Sequence, residues 1–192
     1  MDEYIYKVLF LGDSSIGAKT SLIRRIVYNE FREDEKSTIG VDFFTKTIQT
    51  KFGEISLKLW DTVGQKSFKP IIASYIRGSH CIILGYDVTN RKSYESIRND
   101  WYNLVMKNIT GNNPIIYLVG NKIDEINKRE ISDEKGKSLA NDLNIKYFGV
   151  SAKTGEGVDI LLDDILNSLI KRFNNPMYGK KIQKSFNECL NF

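Results

Sequence analysis

The sequence predicts an α/β fold in which helices cover both faces of a mostly parallel sheet. Apolar runs at 5–11, 82–86 and 115–119 are short, rich in Ile, Val, Leu and Tyr, and followed by Gly or Asp, as is typical of buried parallel strands. Longer amphipathic stretches lie between them, and this alternation indicates βαβ units. The segment 41–61 instead contains two alternating runs with no helix between them. It predicts an antiparallel hairpin, and therefore one antiparallel edge strand.

Four stretches repeat apolar residues at helical spacing over ten or more positions, and we expect them to be helices: 20–31, 93–109, 134–144 and 158–173. The hairpin is expected to turn near Phe52 and Gly53. From 174 onward the chain has a proline, a glycine, scattered lysines and no sustained pattern, which is typical of a flexible tail. The sequence thus predicts one domain over 1–173 and a flexible basic tail over 174–192.

The net charge of +4 is concentrated at the carboxyl-terminal end of the chain. Residues 171–192 carry five basic residues against one acidic residue, and the remainder is balanced at 23 of each sign. A neutral body argues against a nucleic-acid-binding face, whereas a basic tail fits an acidic surface such as a membrane, or serves only for solubility. Two cysteines cannot form a disulfide framework, and no apolar stretch reaches the ~18 residues of a membrane span. We expect an intracellular protein.

A glycine-rich turn between the first strand and the first helix, GDSSIGAKTS at 12–21, is a candidate phosphate-binding loop. Backbone N–H groups and a helix N-terminus would surround a phosphate, with a lysine as cation and a threonine as Mg²⁺ ligand. The usual pattern G-x-x-x-x-G-K-[ST] places lysine directly after glycine, but here Ala18 separates Gly17 from Lys19. Either Gly17 keeps its place and Lys19 and Thr20 move on by about 100° and 1.5 Å, or the loop bulges and both stay in place.

The second strand of the hairpin ends in LWDTVGQ at 59–65. Asp61 can hold Mg²⁺ through water, the N–H of Gly64 can sense a terminal phosphate, and Gln65 can orient an attacking water. Val63 adds β-branched bulk beside this position and is expected to crowd it. These residues follow a strand, where ligands of doubly wound sheets bind.

Two further stretches follow strands, NKID at 121–124 and VSAKTGEGV at 150–158. Asp124 can accept two hydrogen bonds from the ring N–H and the exocyclic amine of guanine, a donor pair that adenine does not present. Asn121 would tie loops together, the stem of Lys122 would lie along the base, and the VSAK segment would bring backbone N–H groups toward the base carbonyl. Four such stretches in this order predict a guanine-nucleotide site.

With STIGVDF at 37–43, SYIRG at 74–78 and YDVTN at 86–90, these stretches resemble the Rab family of Ras-like small GTPases, from about Tyr6 to Phe173. The resemblance implies the P-loop small-GTPase fold, a six-stranded mixed sheet with one antiparallel edge strand and helices on both faces. It implies a GTP-binding switch that hydrolyses GTP to GDP and recruits effectors in vesicle trafficking. Segments 32–42 and 62–77 would be the switches that respond to the γ-phosphate.

The resemblance also implies the ligands, GTP or GDP with Mg²⁺, and the residues that hold them. Gln65 would be catalytic. The phosphates would be held by Ser14, Ser15, Ile16, Gly17, Ala18, Lys19, Thr20, Ser21 and Gly64, and Mg²⁺ by Thr20, Thr38 and Asp61. The guanine would be bound by Phe31, Asn121, Lys122, Asp124, Ser151, Ala152 and Lys153. Effectors would be bound by Ile39, Gly40, Val41, Asp42, Phe43, Trp60 and Tyr75, although the last three aromatic residues fit core packing as well.

Expected partners are effectors, an exchange factor, a GTPase-activating protein, a lipid-chaperone type of protein and, through the tail, a membrane surface. Cys189, four residues from the end, has the geometry of prenylation, and the alternative is a free thiol in an unmodified tail. We expect a monomer on the cytosolic face of endomembranes, with stretches similar to Golgi-associated Rabs. His80, the only histidine, has no partner apparent from the sequence, and we expect a structural role.

Two rivals to the switch remain. Because Ala18 brings a Cβ close to the phosphates, the chain could be a pseudo-GTPase scaffold that binds nucleotide weakly or not at all. An ATP-dependent P-loop enzyme is the third hypothesis, and NKID followed by VSAK argues against it.

Overall fold

The structure, a computed structural model, describes residues 3–13, 18–33, 38, 40–50, 53–111 and 113–173. Six strands form one sheet in the order β2-β3-β1-β4-β5-β6. Their bounds are β1 Glu3–Leu11, β2 Val41–Thr50, β3 Gly53–Thr62, β4 Cys81–Asp87, β5 Ile115–Asn121 and β6 Lys146–Val150. The β2–β3 pair is antiparallel and every other neighbouring pair is parallel. This is the mixed six-stranded sheet that the resemblance implies.

Helices cover both faces of the sheet. Their bounds are α1 Ala18–Tyr28, α2 Lys69–Ile76, α3 Arg91–Ser96, α4 Asn103–Asn108, α5 Asp133–Leu143 and α6 Val158–Phe173. Short 3₁₀ turns occupy Lys66–Phe68 and Ile126–Lys128. Among the helices that the structure describes, none is long and apolar enough to cross a membrane.

Alternation along the strands divides the core into two layers. In β1, Val8 and Phe10 belong to the first core cluster, and Leu9 and Leu11 belong to the second. Apolar residues of α1 and α6 complete the first cluster, whereas those of α2, α4 and α5 complete the second. The continuous apolar runs of the sequence therefore reflect burial on both faces of the sheet.

The hairpin forms the edge of the sheet, as predicted. Thr50 pairs with Gly53 at its end, and residues 51–52 of the expected turn lie outside the described residues. Among the described residues of β2 none is buried, whereas β3 is buried at Ile55, Leu57 and Leu59. This difference in burial follows from the places of the two strands in the sheet, because β3 lies between two strands and β2 has a partner on one side only.

Two helical features differ from the prediction. The helix α2 was not predicted, because eight residues with a proline in the first turn give little periodicity. The stretch predicted as one helix over 93–109 begins at Arg91 and contains a π-helical turn, Ile97–Tyr102, between α3 and α4. We call this segment the π turn.

Candidate functional site

Four of the parallel strands bring the predicted chemistry to one edge of the sheet. β1, β3, β5 and β6 run in the same direction, so their carboxyl ends and the residues that follow lie together. The loop after β1 begins with a close backbone approach. A Cβ at Gly12, whose φ is 151°, would lie 2.2 Å from the carbonyl oxygen of Gly85. A side chain there would push the loop away from β4.

The ammonium of Lys19 closes the start of the candidate phosphate loop. Its Nζ donates to the carbonyl oxygens of Gly12 at 2.9 Å and Asp13 at 3.1 Å, and the residue is 7% exposed. Burial lowers the pKa of Lys19 to about 8, against the opposing effect of the Asp61 and Asp13 carboxylates. A buried cation whose partners, among the residues that the structure describes, are two carbonyls and nearby carboxylates is suited to receive phosphate oxygens. Ser21, also predicted here, is buried in α1.

Of the other residues predicted to hold phosphate, Ser14, Ser15, Ile16 and Gly17 lie outside the described residues. Ala18 is the first residue of α1. The structure therefore describes both ends of the loop, at Asp13 and at Ala18, and not its middle.

The three predicted metal ligands lie within hydrogen-bonding distance of one another. Thr20 Oγ1 donates to Asp61 Oδ2 at 2.5 Å, and Thr38 Oγ1 donates to the same oxygen at 2.9 Å. The two hydroxyl oxygens are 3.1 Å apart. Asp61 is fully buried, and burial raises its pKa, while hydrogen bonds from Thr20 and Thr38 and the charge of Lys19 act in the opposite direction.

These oxygens fit Mg²⁺, which prefers carboxylate and hydroxyl ligands. The second carboxylate oxygen of Asp61, Oδ1, is buried and has no hydrogen-bond partner among the described residues. A buried carboxylate oxygen without a partner is costly, and a cation or its water would satisfy it. The placement of Thr20 beside Asp61 also agrees with the bulged-loop alternative, because a shift of about 100° would carry Thr20 away from this position.

The two expected switch segments meet close to these ligands. The backbone N–H of Val63 donates to the carbonyl of Gly40 at 2.9 Å. The side chain of Val63 is buried in the second core cluster, where it packs with Ile72 and Ile76. Gly64 is buried and Gln65 is exposed near the start of the segment 62–77. The added bulk of Val63 is therefore accommodated in the core.

The predicted base-binding residues form one hydrogen-bonded unit. Asn121 Oδ1 accepts from the backbone N–H groups of Lys122 at 2.8 Å and Ala152 at 3.0 Å, which ties the two loops together. Ser151 Oγ donates to Asp124 Oδ1 at 2.6 Å. This bond orients the carboxylate of Asp124, and no other described residue bonds to its Oδ2, which can accept from a ligand donor.

Lys122 is held in a conformation unusual for a side-chain-bearing residue. Its φ is 69°, and its Nζ forms an ion pair with Asp87 Oδ2 at 2.8 Å. The other oxygen of Asp87 accepts from the backbone N–H and the hydroxyl of Thr89. Asp87 thus fixes the ammonium of Lys122, and YDVTN, where Asp87 stands, is a stretch to which the sequence assigned no role.

Arg25 is a second residue of this site that the sequence did not indicate. Its Nε donates to the carbonyl of Ala152 at 2.8 Å and its Nη2 to the carbonyl of Lys153 at 2.7 Å. Its Nη1 donates to the carbonyl and the side-chain oxygen of Asn29. The guanidinium of this α1 residue therefore binds two consecutive carbonyls of the base-binding loop that follows β6. We call this set of bonds the Arg25 clamp.

The remaining predicted base residues lie at the margin of the site. Phe31 is partly buried and packs against the first core cluster. Lys153 is exposed and its Nζ forms an ion pair with Glu33 Oε1 at 3.3 Å. These contacts place the segment after α1 beside the base-binding loop.

The predicted effector residues include three aromatic rings in mutual contact. The ring centroids of Phe43 and Trp60 are 4.6 Å apart, and those of Trp60 and Tyr75 are 5.4 Å apart. Phe43 is 62% exposed, and Trp60 and Tyr75 are partly exposed, so the triad is not simply core packing. The ammonium of Lys7, 4.0 Å from the Trp60 centroid, supports the triad from beneath.

Three of the other predicted effector residues directly precede Phe43 in the chain. Gly40, with φ 85°, and Asp42 are exposed, and Val41 is partly buried at the start of β2. Ile39 lies outside the described residues, as do the tail 174–192 and Cys189.

His80 has partners that its sequence context did not reveal. Its Nδ1 accepts from the backbone N–H of Lys7 at 2.9 Å, and its ring packs edge-on against Tyr6 and Phe173. Burial and the nearby Lys7 lower the pKa of His80 to about 4. The histidine is therefore neutral and joins β1 to the segment before β4.

Comparison with known proteins places the same residues in a family context. The family model described as Ras family matches residues 7–171. Ras-related protein SEC4 of Candida albicans is 39% identical over 163 residues, which cover 85% of this chain and 76% of that protein. The SEC4 proteins of the WO-1 and SC5314 strains give the same values. The matched region contains all six strands except the start of β1. It also contains the four stretches that predict the nucleotide site, 12–21, 59–65, 121–124 and 150–158.

Proposed function

This chain belongs to the Ras family of small GTPases, within its Rab branch, and on that premise we propose that it is a nucleotide-dependent switch that hydrolyses GTP. The observation that carries the proposal is the position of Lys19 and of the Thr20, Thr38 and Asp61 oxygens. They lie at one sheet edge, together with the base-binding unit around Asp124.

Each group has a chemical role in the proposed cycle. Lys19 would exchange its two carbonyl partners for β- and γ-phosphate oxygens. Thr20 and Thr38 would hold Mg²⁺ directly, with Asp61 bound through water, and the ion would supply positive charge that stabilises the transferred phosphoryl group. Asp124, oriented by Ser151, would accept from the guanine ring N–H and amine.

Gln65 is proposed to orient the attacking water. Its exposure on the segment next to Gly64 leaves its side chain free to turn toward a bound γ-phosphate. We expect slow intrinsic hydrolysis that an activating protein accelerates. Thr38 and Gly64 would respond to the γ-phosphate and so set the positions of the two switch segments.

The switch state would be presented to effectors through the triad of Phe43, Trp60 and Tyr75 and through the preceding residues 39–42. An exposed phenylalanine ring that packs edge-on against a tryptophan is costly to leave in water and favourable to cover with a partner. We propose that the protein acts on the cytosolic face of endomembranes, including those of the Golgi. The basic tail and a prenylated Cys189 would supply two weak membrane signals that act together.

The test of the proposal is a titration with a fluorescent GDP analogue, with and without Mg²⁺, on the natural chain and on a variant with Ala18 deleted. Tight, Mg²⁺-dependent binding by the natural chain supports the switch. Weak binding that the deletion restores would overturn it in favour of the pseudo-GTPase scaffold. Competition by ATP as effective as by GTP would overturn the role of Asp124.

A further inference from the structure

The π turn between α3 and α4 presents two adjacent residues to two different parts of the site. An α-helix separates neighbouring side chains by about 100°, but a π turn is wider and redirects one residue. Trp101 is fully buried, and Asp100 is 22% exposed at its side chain. Each side chain makes a polar contact with a different element, Trp101 with the loop after β1 and Asp100 with α2.

Trp101 contacts the candidate phosphate loop. Its indole Nε1 donates to Asp13 Oδ1 at 2.8 Å, across 88 residues of sequence. Asp13 is also the residue whose carbonyl accepts from Lys19 Nζ. The tryptophan therefore fixes the side chain of a residue whose backbone holds the phosphate-binding lysine. The indole ring belongs to the second core cluster, so it has little freedom to follow a displaced Asp13.

Asp100 contacts the second switch segment. It forms an ion pair with Lys69, the first residue of α2, and both side chains are about three-quarters shielded from water. The Lys69 ammonium is 5.9 Å from the centroid of the Trp101 ring. Lys69 follows Gly64 and Gln65 by only a few residues, so the pair anchors the segment that is expected to respond to the γ-phosphate.

We propose that the π turn is a positioning element that links the segment 62–77 to the phosphate loop. Trp101 positions Asp13, and thereby the carbonyl that holds Lys19, while Asp100 positions Lys69 at the start of α2. Displacement of Lys69 then loosens Trp101, and the retention of nucleotide falls. The inference rests on the proposed nucleotide-binding function for one of its readouts, and its other readout needs no nucleotide.

The first readout is the dissociation rate of a fluorescent GDP analogue in the presence of Mg²⁺. Trp101→Phe removes the donor and keeps an aromatic ring, and we expect about three- to tenfold faster dissociation, because only part of the contribution of a hydrogen bond to a charged group is passed on through Asp13 to the nucleotide. Lys69→Met is expected to accelerate dissociation about threefold. In the double variant the fold-increase in dissociation rate should be smaller than the product of the two single-variant increases, because both changes act through the same contacts.

Two matched controls come from the same helical segment. Tyr102→Phe removes the hydroxyl that donates to the Leu143 carbonyl at 3.3 Å, and Arg98→Met removes the ion pair with Asp142. Neither bond reaches the phosphate loop or α2, so both variants should keep the natural dissociation rate. If Trp101→Phe behaves as Tyr102→Phe does, the positioning role is wrong. Effects that multiply in the double variant would overturn the link between Lys69 and Trp101.

The second readout is the indole N–H signal of Trp101 in a ¹⁵N-labelled protein. The chain contains two tryptophans, so Trp101→Phe identifies the signal by its loss. We expect Asp13→Ala to shift the signal and speed its exchange with water, and Lys69→Met to shift it by a smaller amount, whereas Arg98→Met leaves it in place. An unchanged signal in Asp13→Ala or Lys69→Met overturns the inference. If the natural chain failed to bind GDP but these shifts appeared, the proposed function would fail, and the structural link from Lys69 through Trp101 to Asp13 would stand.

Discussion

Replacement of Arg25 by methionine is expected to destabilise the base-binding loop and to weaken nucleotide binding. The clamp contributes two bonds to carbonyls of that loop, at Ala152 and Lys153, and two to Asn29. Hydrogen bonds to charged groups contribute about 1.5–3 kcal/mol when shielded, and less when exposed. The bond to Ala152 is partly buried and the others are exposed.

Counting about 1 kcal/mol for each loop bond, the loss of Arg25 should lower the free energy of unfolding by about 2 kcal/mol. The same displacement of the loop should weaken binding of a GDP analogue about tenfold, since 1.4 kcal/mol corresponds to a factor of ten. Arg25→Lys should recover less than half of either loss, because a single ammonium cannot reproduce the planar fork that spans two carbonyls.

Urea unfolding and GDP-analogue titration of both Arg25 variants measure these two effects. Arg98→Met, which removes an exposed guanidinium and its ion pair with Asp142, controls for the loss of charge. Arg25→Met with natural affinity but lowered stability would refute the role in positioning the loop. Equal behaviour of Arg25→Lys and the natural chain would refute the requirement for the fork.

Three further predictions follow from other contacts. Because His80 has a pKa of about 4 in the folded chain and about 6.5 when unfolded, the unfolded chain takes up a proton first as pH falls. Stability is then lost between about pH 6.5 and pH 4, by about 2 kcal/mol at pH 5, and urea unfolding should show a shallower pH dependence in His80→Gln. Lys7→Met, which removes the cation 4.0 Å from the Trp60 ring, should change the emission of Trp60 and lower the free energy of unfolding by about 1 kcal/mol, and unchanged emission would contradict the contact. Gln65→Leu should leave GTP binding unchanged but slow single-turnover hydrolysis at least about tenfold, and an unchanged rate would remove Gln65 from the mechanism.

Strands β1, β4 and β5 were predictable because each of them combines a short apolar run with a punctuating residue. The sequence places the end of β1 before Gly12 and marks the hairpin by alternation on either side of Gly53. The family resemblance then implies six strands, which is the number observed. The order of the strands in the sheet was not predicted, because local sequence patterns do not specify which strands become neighbours.

The π turn left a signal in the sequence that was not recognised. Ser93, Ile97, Trp101 and Val105 are buried at a constant spacing of four, whereas an α-helix repeats every 3.6 residues. Over three such steps a regular helix would rotate the buried face by about 120°, so the spacing itself favours a wider turn. Helix α2 offered no comparable signal, because its eight residues span only two turns.

The contacts of the binding residues likewise divide into those that local sequence predicts and those that it does not. Asn121 was predicted to tie loops together, and it does so, because its role depends on residues directly after strands. The contacts of Arg25 with Ala152 and of Trp101 with Asp13 join residues 127 and 88 positions apart. No local pattern specifies such pairs, since they depend on how α1 and the π turn pack against the finished sheet.

The central position of β1 constrains the order in which the protein can fold during synthesis. Phe10 lies opposite Asp61 on one side and Ile83 on the other, so both neighbours of β1 are made after it. At about 5–20 residues per second, β3 is complete only several seconds after β1. The nascent chain therefore carries an apolar strand without either partner until β3 is complete, and β1 still lacks β4 after the hairpin of β2 and β3 has formed. We expect ribosome-associated chaperones to engage β1 in this interval, and slower translation between residues 12 and 62 to increase aggregation.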